Sequence, residues 1–187
     1  SLVDFHKSDQ IILIYGPQSS GKSHICQAVL HESCVEYLFV NGESELCNEK
    51  LNDYYELVVI DDLDKLVSTK GREERIFTIL NNQILNKKPA LITSSKDITE
   101  CGLTLEDLSS RLLSDKIFTI NDLDDSDKIN MMISYSSQRG LEISDRVLNY
   151  IINNCSRDLY FICALIKNLD RVSLSAKKKI TIPFIKK

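Results

Sequence analysis

Ile11-Ile12-Leu13-Ile14-Tyr15-Gly16-Pro17-Gln18-Ser19-Ser20-Gly21-Lys22-Ser23 is the stretch on which the fold turns. Its first five residues are an unbroken apolar run rich in β-branched side chains, which predicts a strand covered on both faces, as in a parallel sheet. From Gly16 to Ser23 the spacing is GxxxxGK[ST], between that strand and a helix predicted from Lys22 to His31. Glycine at both ends of such a loop lets the backbone fold closely enough for its N–H groups to ring a phosphate. The helix N-terminus behind it adds partial positive charge. In this layout Lys22 reaches the β- and γ-phosphates of a nucleotide and the Ser23 hydroxyl ligates Mg²⁺. The candidate nucleotide contacts are Gly16, Pro17, Gln18, Ser19, Ser20, Gly21, Lys22, Ser23 and the adjoining His24.

Outward from this loop the same alternation continues. Tyr37 to Val40, Leu57 to Ile60 and Ala90 to Thr93 are further short apolar runs, and helical patterns lie at Arg72 to Asn86 and Leu105 to Leu113. Strands alternating with helices predict a doubly wound parallel α/β sheet. After Ile120 the strand signal stops, and three amphipathic helices are expected at Asp125 to Gln138, Ser144 to Asn154 and Arg157 to Ser173. Ser144 and Ser156 stand at N-cap positions, and Gly140 supplies a helix stop. The expected organisation is an α/β nucleotide-binding base over residues 1–121 and a helical lid over residues 122–187.

The run Leu57-Val58-Val59-Ile60 ends in Asp61-Asp62, a strand that delivers two carboxylates about 40 residues after the phosphate loop, in the manner of a Walker B segment. Asp61 is placed to hold the Mg²⁺ shell and Asp62 to polarise an attacking water. The run that ends in Thr93-Ser94-Ser95 puts polar groups at the carboxyl end of a parallel strand, where they face a ligand crevice. One of them, with Ser94 the candidate, would sense the γ-phosphate. Arg111 is a candidate arginine finger, and Arg157, at the start of the last helix, a candidate to fold over bound phosphates.

Composition narrows the classes. With 187 residues, 43% hydrophobic, 27% charged, 6 Gly and 3 Pro, the chain is neither disordered nor collagenous. No apolar run approaches the roughly 20 residues that span a bilayer, and the first residues lack the pattern of a secretory signal. A cytoplasmic protein without membrane attachment is the expectation. Net charge is −4, divided unevenly: 12 Lys+Arg against 19 Asp+Glu up to residue 121, and 11 against 8 beyond it. An acidic total is a poor electrostatic footprint for duplex DNA, and the run Lys177-Lys178-Lys179 reads as a solvated face. The six cysteines form no CxxC pair and have no histidine at metal-ligand spacing, so reduced thiols are expected.

A phosphate loop, a paired-Asp strand end, a polar strand end, Arg111 and Arg157, in this order, resemble an AAA+ ATPase. Leu105-Glu106-Asp107-Leu108-Ser109-Ser110-Arg111-Leu112-Leu113 is similar to the Box VII region of the bacterial initiator DnaA and its relatives. The segment from Leu169 to Lys186, with Lys177-Lys178-Lys179-Ile180-Thr181-Ile182-Pro183-Phe184-Ile185, resembles the carboxyl-terminal end of the Hda family of DnaA-related regulators. The resemblance runs from Ile11 to Lys187.

It implies an AAA+ P-loop fold and a regulator that binds ADP or ATP with Mg²⁺ and is active in its ADP form. With the DNA-loaded sliding clamp of DNA polymerase III, such a regulator promotes hydrolysis of ATP held by DnaA and so prevents re-initiation of replication. By that analogy Arg111 acts in trans on the DnaA-bound ATP and Arg157 reads the chain's own nucleotide, with weak intrinsic ATPase activity. Homodimer formation is a further expectation. The family's clamp-binding peptide has no match in Ser1 to Gln10, so clamp binding is expected to be either encoded upstream or absent. DnaA continues into a helix-turn-helix domain, and ending at Lys187 leaves the expectation of no sequence-specific DNA binding. Ser95 stands where DnaA proteins usually carry an acidic residue. The alternative is a DnaA-like or helicase-loader-like module for nucleotide-dependent assembly on DNA.

Overall fold

The computed structural model describes residues 11–42, 46, 55–114, 116–156, 158–176 and 180–185. By chain contacts it divides into two compact units, Ser1–Asn121 and Asp122–Lys187.

The first unit is built on a five-stranded parallel sheet. Its strands are β1 (Ile11–Tyr15), β2 (Tyr37–Val40), β3 (Leu57–Ile60), β4 (Ala90–Ser94) and β5 (Lys116–Thr119), in the order β2-β3-β4-β1-β5. Its helices are α1 (Lys22–Ser33), α2 (Leu63–Leu66), α3 (Lys70–Leu85) and α4 (Glu106–Leu113). Because strand side chains alternate between faces, the unbroken apolar runs feed two separate cores. Ile11, Leu13, Val58, Ile60, Ala90 and Ile92 pack on one face with Leu63 of α2, Ile76 and Leu80 of α3, and Leu108 and Leu112 of α4. Ile12, Ile14, Leu57, Val59 and Leu91 pack on the other with Cys26 and Val29 of α1. A run without alternation is therefore what a strand covered on both sides requires. Each large aliphatic side chain buried here stabilises the fold by roughly 1.5–3 kcal/mol.

β5 is the element that sequence reading passed over. It pairs with β1 in the register Ile12↔Lys116 to Tyr15↔Thr119, at the sheet edge, with all four residues exposed. Its backbone completes a ladder but its side chains bury little, so Lys116-Ile117-Phe118-Thr119 carries no core-strand pattern.

The second unit is helical: α5 (Asp125–Ser137), α6 (Asp145–Asn154), α7 (Leu159–Ala176) and the short α8 (Ile182–Ile185). Its own core joins Met132, Val147, Leu148, Ile151, Ile152, Ile162, Ile166, Leu169 and Ile180. Asp124 caps α5 by accepting from the Asp127 N–H at 2.7 Å. Gly140, at φ +67°, stops it as expected: Leu141 N–H reaches Ser136 O at 3.0 Å and Gly140 N–H reaches Ser137 O at 2.9 Å, the paired bonds of a Schellman motif. The third helix begins two residues later than the sequence suggested. Asp158 accepts from the Phe161 N–H at 2.9 Å, so Asp158 rather than Ser156 makes the capping bond.

Candidate functional site

The loop after β1 is shaped by close approach and by two left-handed residues. Gly16 donates its N–H to Ser94 O at 3.2 Å, and a Cβ added there would lie 2.1 Å from the Ile120 carbonyl oxygen, so the position has room for glycine alone. Pro17, Gln18 and Ser19 are exposed. Ser19 at φ +60° and Gly21 at φ +98° turn the chain into α1. Gly21 occupies the N-cap without a side-chain capping bond, and the first turn of α1 holds no acidic residue. The free backbone N–H groups of that turn keep their donors and their partial positive charge for an anion.

Lys22 is folded back across this loop. Its ammonium donates to Gly16 O at 2.8 Å and Pro17 O at 2.7 Å, with Ser20 Oγ at 3.5 Å, and the residue is 4% exposed. Burial holds its pKa below the usual lysine value, against the pull of Asp62, Asp64 and Asp61. Ser23 and His24, next on α1, are exposed.

The acidic strand end comes up beside this ammonium. The register Ile60↔Ile92 sets Asp61 opposite Thr93. Thr93, fully buried, donates its hydroxyl to Asp61 Oδ1 at 2.5 Å and accepts the Asp62 N–H at 3.0 Å. The Cys26 thiol reaches the same Asp61 oxygen at 3.8 Å. Burial, then the Asp61 charge, pushes the Cys26 pKa up, so it stays a neutral thiol. Asp62 sits at φ +56° and its Oδ2 pairs with the Lys65 ammonium at 2.5 Å. A left-handed non-glycine residue carries strain of about 1–3 kcal/mol and tends to mark a functional site.

Asp64 belongs to this cluster and was not singled out by sequence reading. Its carboxylate accepts from the Ser95 N–H at 2.8 Å, from the Ser95 hydroxyl, and from the Ser94 hydroxyl at 3.3 Å. Burial alone would raise this carboxyl, but the bonds from Ser95 and Ser94 outweigh it and hold the pKa below the usual aspartate range. The signal lay in Asp61-Asp62-Leu63-Asp64 followed by a serine at 95. A second acid at position 95 would face Asp64, whereas serine donates to it.

Ser94 is fully buried, and its single hydroxyl proton is shared between Lys96 O at 2.7 Å and the longer contact to Asp64 Oδ1 at 3.3 Å. Thr93, Ser94 and Ser95 are thus committed to protein partners at the end of β4.

Arg111 is not among these groups. It lies in the last turn of α4, where its guanidinium donates to Asn81 Oδ1 of α3 at 3.0 Å. The start of α4 is anchored by Glu73, 2% exposed, which accepts from the Thr104 N–H at 2.9 Å, the Thr104 hydroxyl at 3.0 Å and the Leu105 N–H at 2.7 Å. Arg157, Ser1 to Gln10, the run Lys177-Lys178-Lys179 and the terminal lysines lie outside the described residues. Among the described residues no group of His, Cys, Asp or Glu is arranged to hold a metal ion on its own, and no helix is long and apolar enough to cross a membrane.

Comparison with known proteins gives this arrangement relatives. Residues 125–187 match the family model of the Hda lid domain. A protein of Haemophilus influenzae without an assigned role is 31% identical over 182 residues, covering 93% of this chain and 79% of its own. Domain III of the Thermotoga maritima replication initiation protein DnaA superposes with a TM-score of 0.82 at 17% identity, over 96% of this chain and 82% of that one. A replication initiator DnaA bound to AMPPCP and single-stranded DNA superposes with a TM-score of 0.76 at 18% identity, over 94% of this chain and 61% of that one.

Proposed function

Because the chain belongs to the Hda- and DnaA-like AAA+ family of proteins related to replication initiation, we propose that it is a nucleotide-controlled regulator that triggers hydrolysis of ATP bound to DnaA. Its fold is the α/β AAA+ type with a C-terminal helical lid. The observation that carries the reading is the pairing of an uncapped α1 N-terminus and retracted Lys22 with a buried Asp61, while Arg111 is held elsewhere by Asn81.

In this reading the backbone N–H groups from Gly16 to Ser23 surround the phosphates of ADP or ATP, with Gly16, Pro17, Gln18, Ser19, Ser20, Gly21 and His24 lining the loop. Lys22 exchanges the Gly16 and Pro17 carbonyls for phosphate oxygens, which are better acceptors because they are charged. The Ser23 hydroxyl and Asp61 serve Mg²⁺, with Asp61 aimed by Thr93, and Ser94 stands behind the strand end as a support. Asp62 polarises water for a slow intrinsic hydrolysis, and Arg157 reads the nucleotide. Arg111, oriented by Asn81, stabilises charge on the phosphoryl group transferred in the partner's site, a role worth about 10³–10⁵ in rate where such arginines operate.

The ADP form is taken as the active one, with the DNA-loaded sliding clamp as co-partner. The test is phosphate release from DnaA-ATP mixed with this protein, ADP, clamp and DNA. Stimulation that Arg111→Ala reduces at least about a hundred-fold is expected; stimulation indifferent to that change would refute the reading.

A second reading has one observation in its favour, the likeness to a DnaA structure that holds AMPPCP and single-stranded DNA. Here the chain is a module for nucleotide-dependent assembly on DNA. It predicts ATP-dependent binding of single strands, measured by fluorescence anisotropy, without any requirement for DnaA.

A further inference from the structure

We propose that Lys65 is a built-in brake on this chain's own ATP hydrolysis, clasping the Asp62 carboxylate that would otherwise polarise the attacking water; the inference rests on the nucleotide reading above. The clasp is made by the backbone. Asp62, at φ +56° and with its N–H held by the Thr93 hydroxyl, turns the chain directly into α2. Lys65 N–H closes on Asp62 O at 2.9 Å, and this turn carries the ammonium to within 2.5 Å of Asp62 Oδ2.

Three acids share this corner, and each has been given a different partner. Asp61 is bound by the Thr93 hydroxyl and the Cys26 thiol, Asp64 by Ser95 and Ser94, and Asp62 is the one an ammonium holds. The Lys65 pKa lies above the usual lysine value, chiefly through its hydrogen bond to Asp62, so the ammonium stays charged through neutral pH. The side chains are 56% and 29% exposed, so the pair faces water and opens without unfolding anything.

In hydrolysis the water oxygen bonds to the γ-phosphorus as the bond to the β,γ-bridging oxygen breaks. ADP leaves with that electron pair, and the water proton passes by way of a carboxylate to the products, ADP and inorganic phosphate. The carboxylate must accept the water proton, and an ammonium on Oδ2 occupies one of its two oxygens and draws charge from both, so it accepts that proton less well. With the ADP form as the active one, slow hydrolysis of the chain's own ATP sets how long it rests in the ATP form before it acts on a partner. Lysine one turn after the second Asp supplies the restraint within a single polypeptide.

The experiment compares wild type with Lys65→Met, which keeps length and loses charge, at saturating Mg-ATP. Turnover is expected to rise about five-fold with ATP affinity held, the equivalent of about 1 kcal/mol and the upper range for an exposed pair. Lys65→Arg should turn over like wild type, and adding Asp62→Asn to Lys65→Met should remove the gain. Unchanged or lower turnover in Lys65→Met with intact ATP binding overturns the brake. Calorimetry that finds no binding of Mg-ATP by wild type overturns the nucleotide reading instead, and the brake with it.

Discussion

At the scale of single residues, Thr93 holds the most information. Sequence reading placed the end of β4 at a ligand crevice and offered its hydroxyls as sensors. What it lacked was the strand register, which sets Thr93 against Asp61 and commits its hydroxyl to the Asp61 carboxylate and the Asp62 N–H. Thr93→Val keeps volume and removes the hydroxyl, leaving the buried Asp61 carboxylate short of a donor at a cost of about 1–3 kcal/mol. The expected signature is specific: nucleotide affinity measured without Mg²⁺ changes little, whereas the enhancement by Mg²⁺ falls, and Thr93→Ser restores it. Equal losses with and without Mg²⁺ would mean that Thr93 serves packing alone. Gly16 gives a complementary lesson. The motif reading asked for glycine because of a phosphate, but the Ile120 carbonyl already forbids a side chain there, so the fold demands this glycine before any ligand does.

At the scale of elements, what could be read was whatever carries a strong period or a stereochemical stop. β1, β3 and β4 announce themselves because both faces are buried. The end of α5 does so because Gly140 adopts a positive φ. β5 was not legible, since an edge strand is held by its ladder to β1 and leaves Ile117 and Phe118 exposed. The start of α7 was misplaced because two capping residues stand two apart, Ser156 and Asp158, and spacing alone does not choose between them. The structure does: Asp158 accepts from the Phe161 N–H, while Ser156 Oγ accepts from Asp158 N–H at 3.3 Å, outside the helix. Asp158→Ala should therefore lower stability by about 1 kcal/mol and Ser156→Ala by much less, read as the shift of the denaturant midpoint at constant slope. The reverse ranking would return the cap to Ser156. Asp64 escaped sequence reading for a related reason: its partners, Ser94 and Ser95, lie at and just past the end of β4, about 30 residues away in the chain, and only folding shows that Ser95 donates to it.

At the scale of the whole molecule, the division at Asn121 and Asp122 separates the two cores of the sheet from the core of the helices, as well as two compositions. The acidic residues gather in the unit that carries the phosphate loop, and the basic excess falls in the helical one. Distinct cores imply distinct sensitivities. Ile151, fully buried at the centre of the helical core, and Leu13, 1% exposed in the sheet, each lose about 2–5 kcal/mol on truncation to alanine. If each core stabilises its own unit, Ile151→Ala should speed amide exchange in α5, α6 and α7 far more than in β1 and β4, and Leu13→Ala should do the opposite. Exchange followed by mass spectrometry resolves the two. A uniform acceleration across both units in either variant would mean that the chain opens as one cooperative body, and nucleotide bound at the phosphate loop would then protect the C-terminal helices as strongly as the sheet.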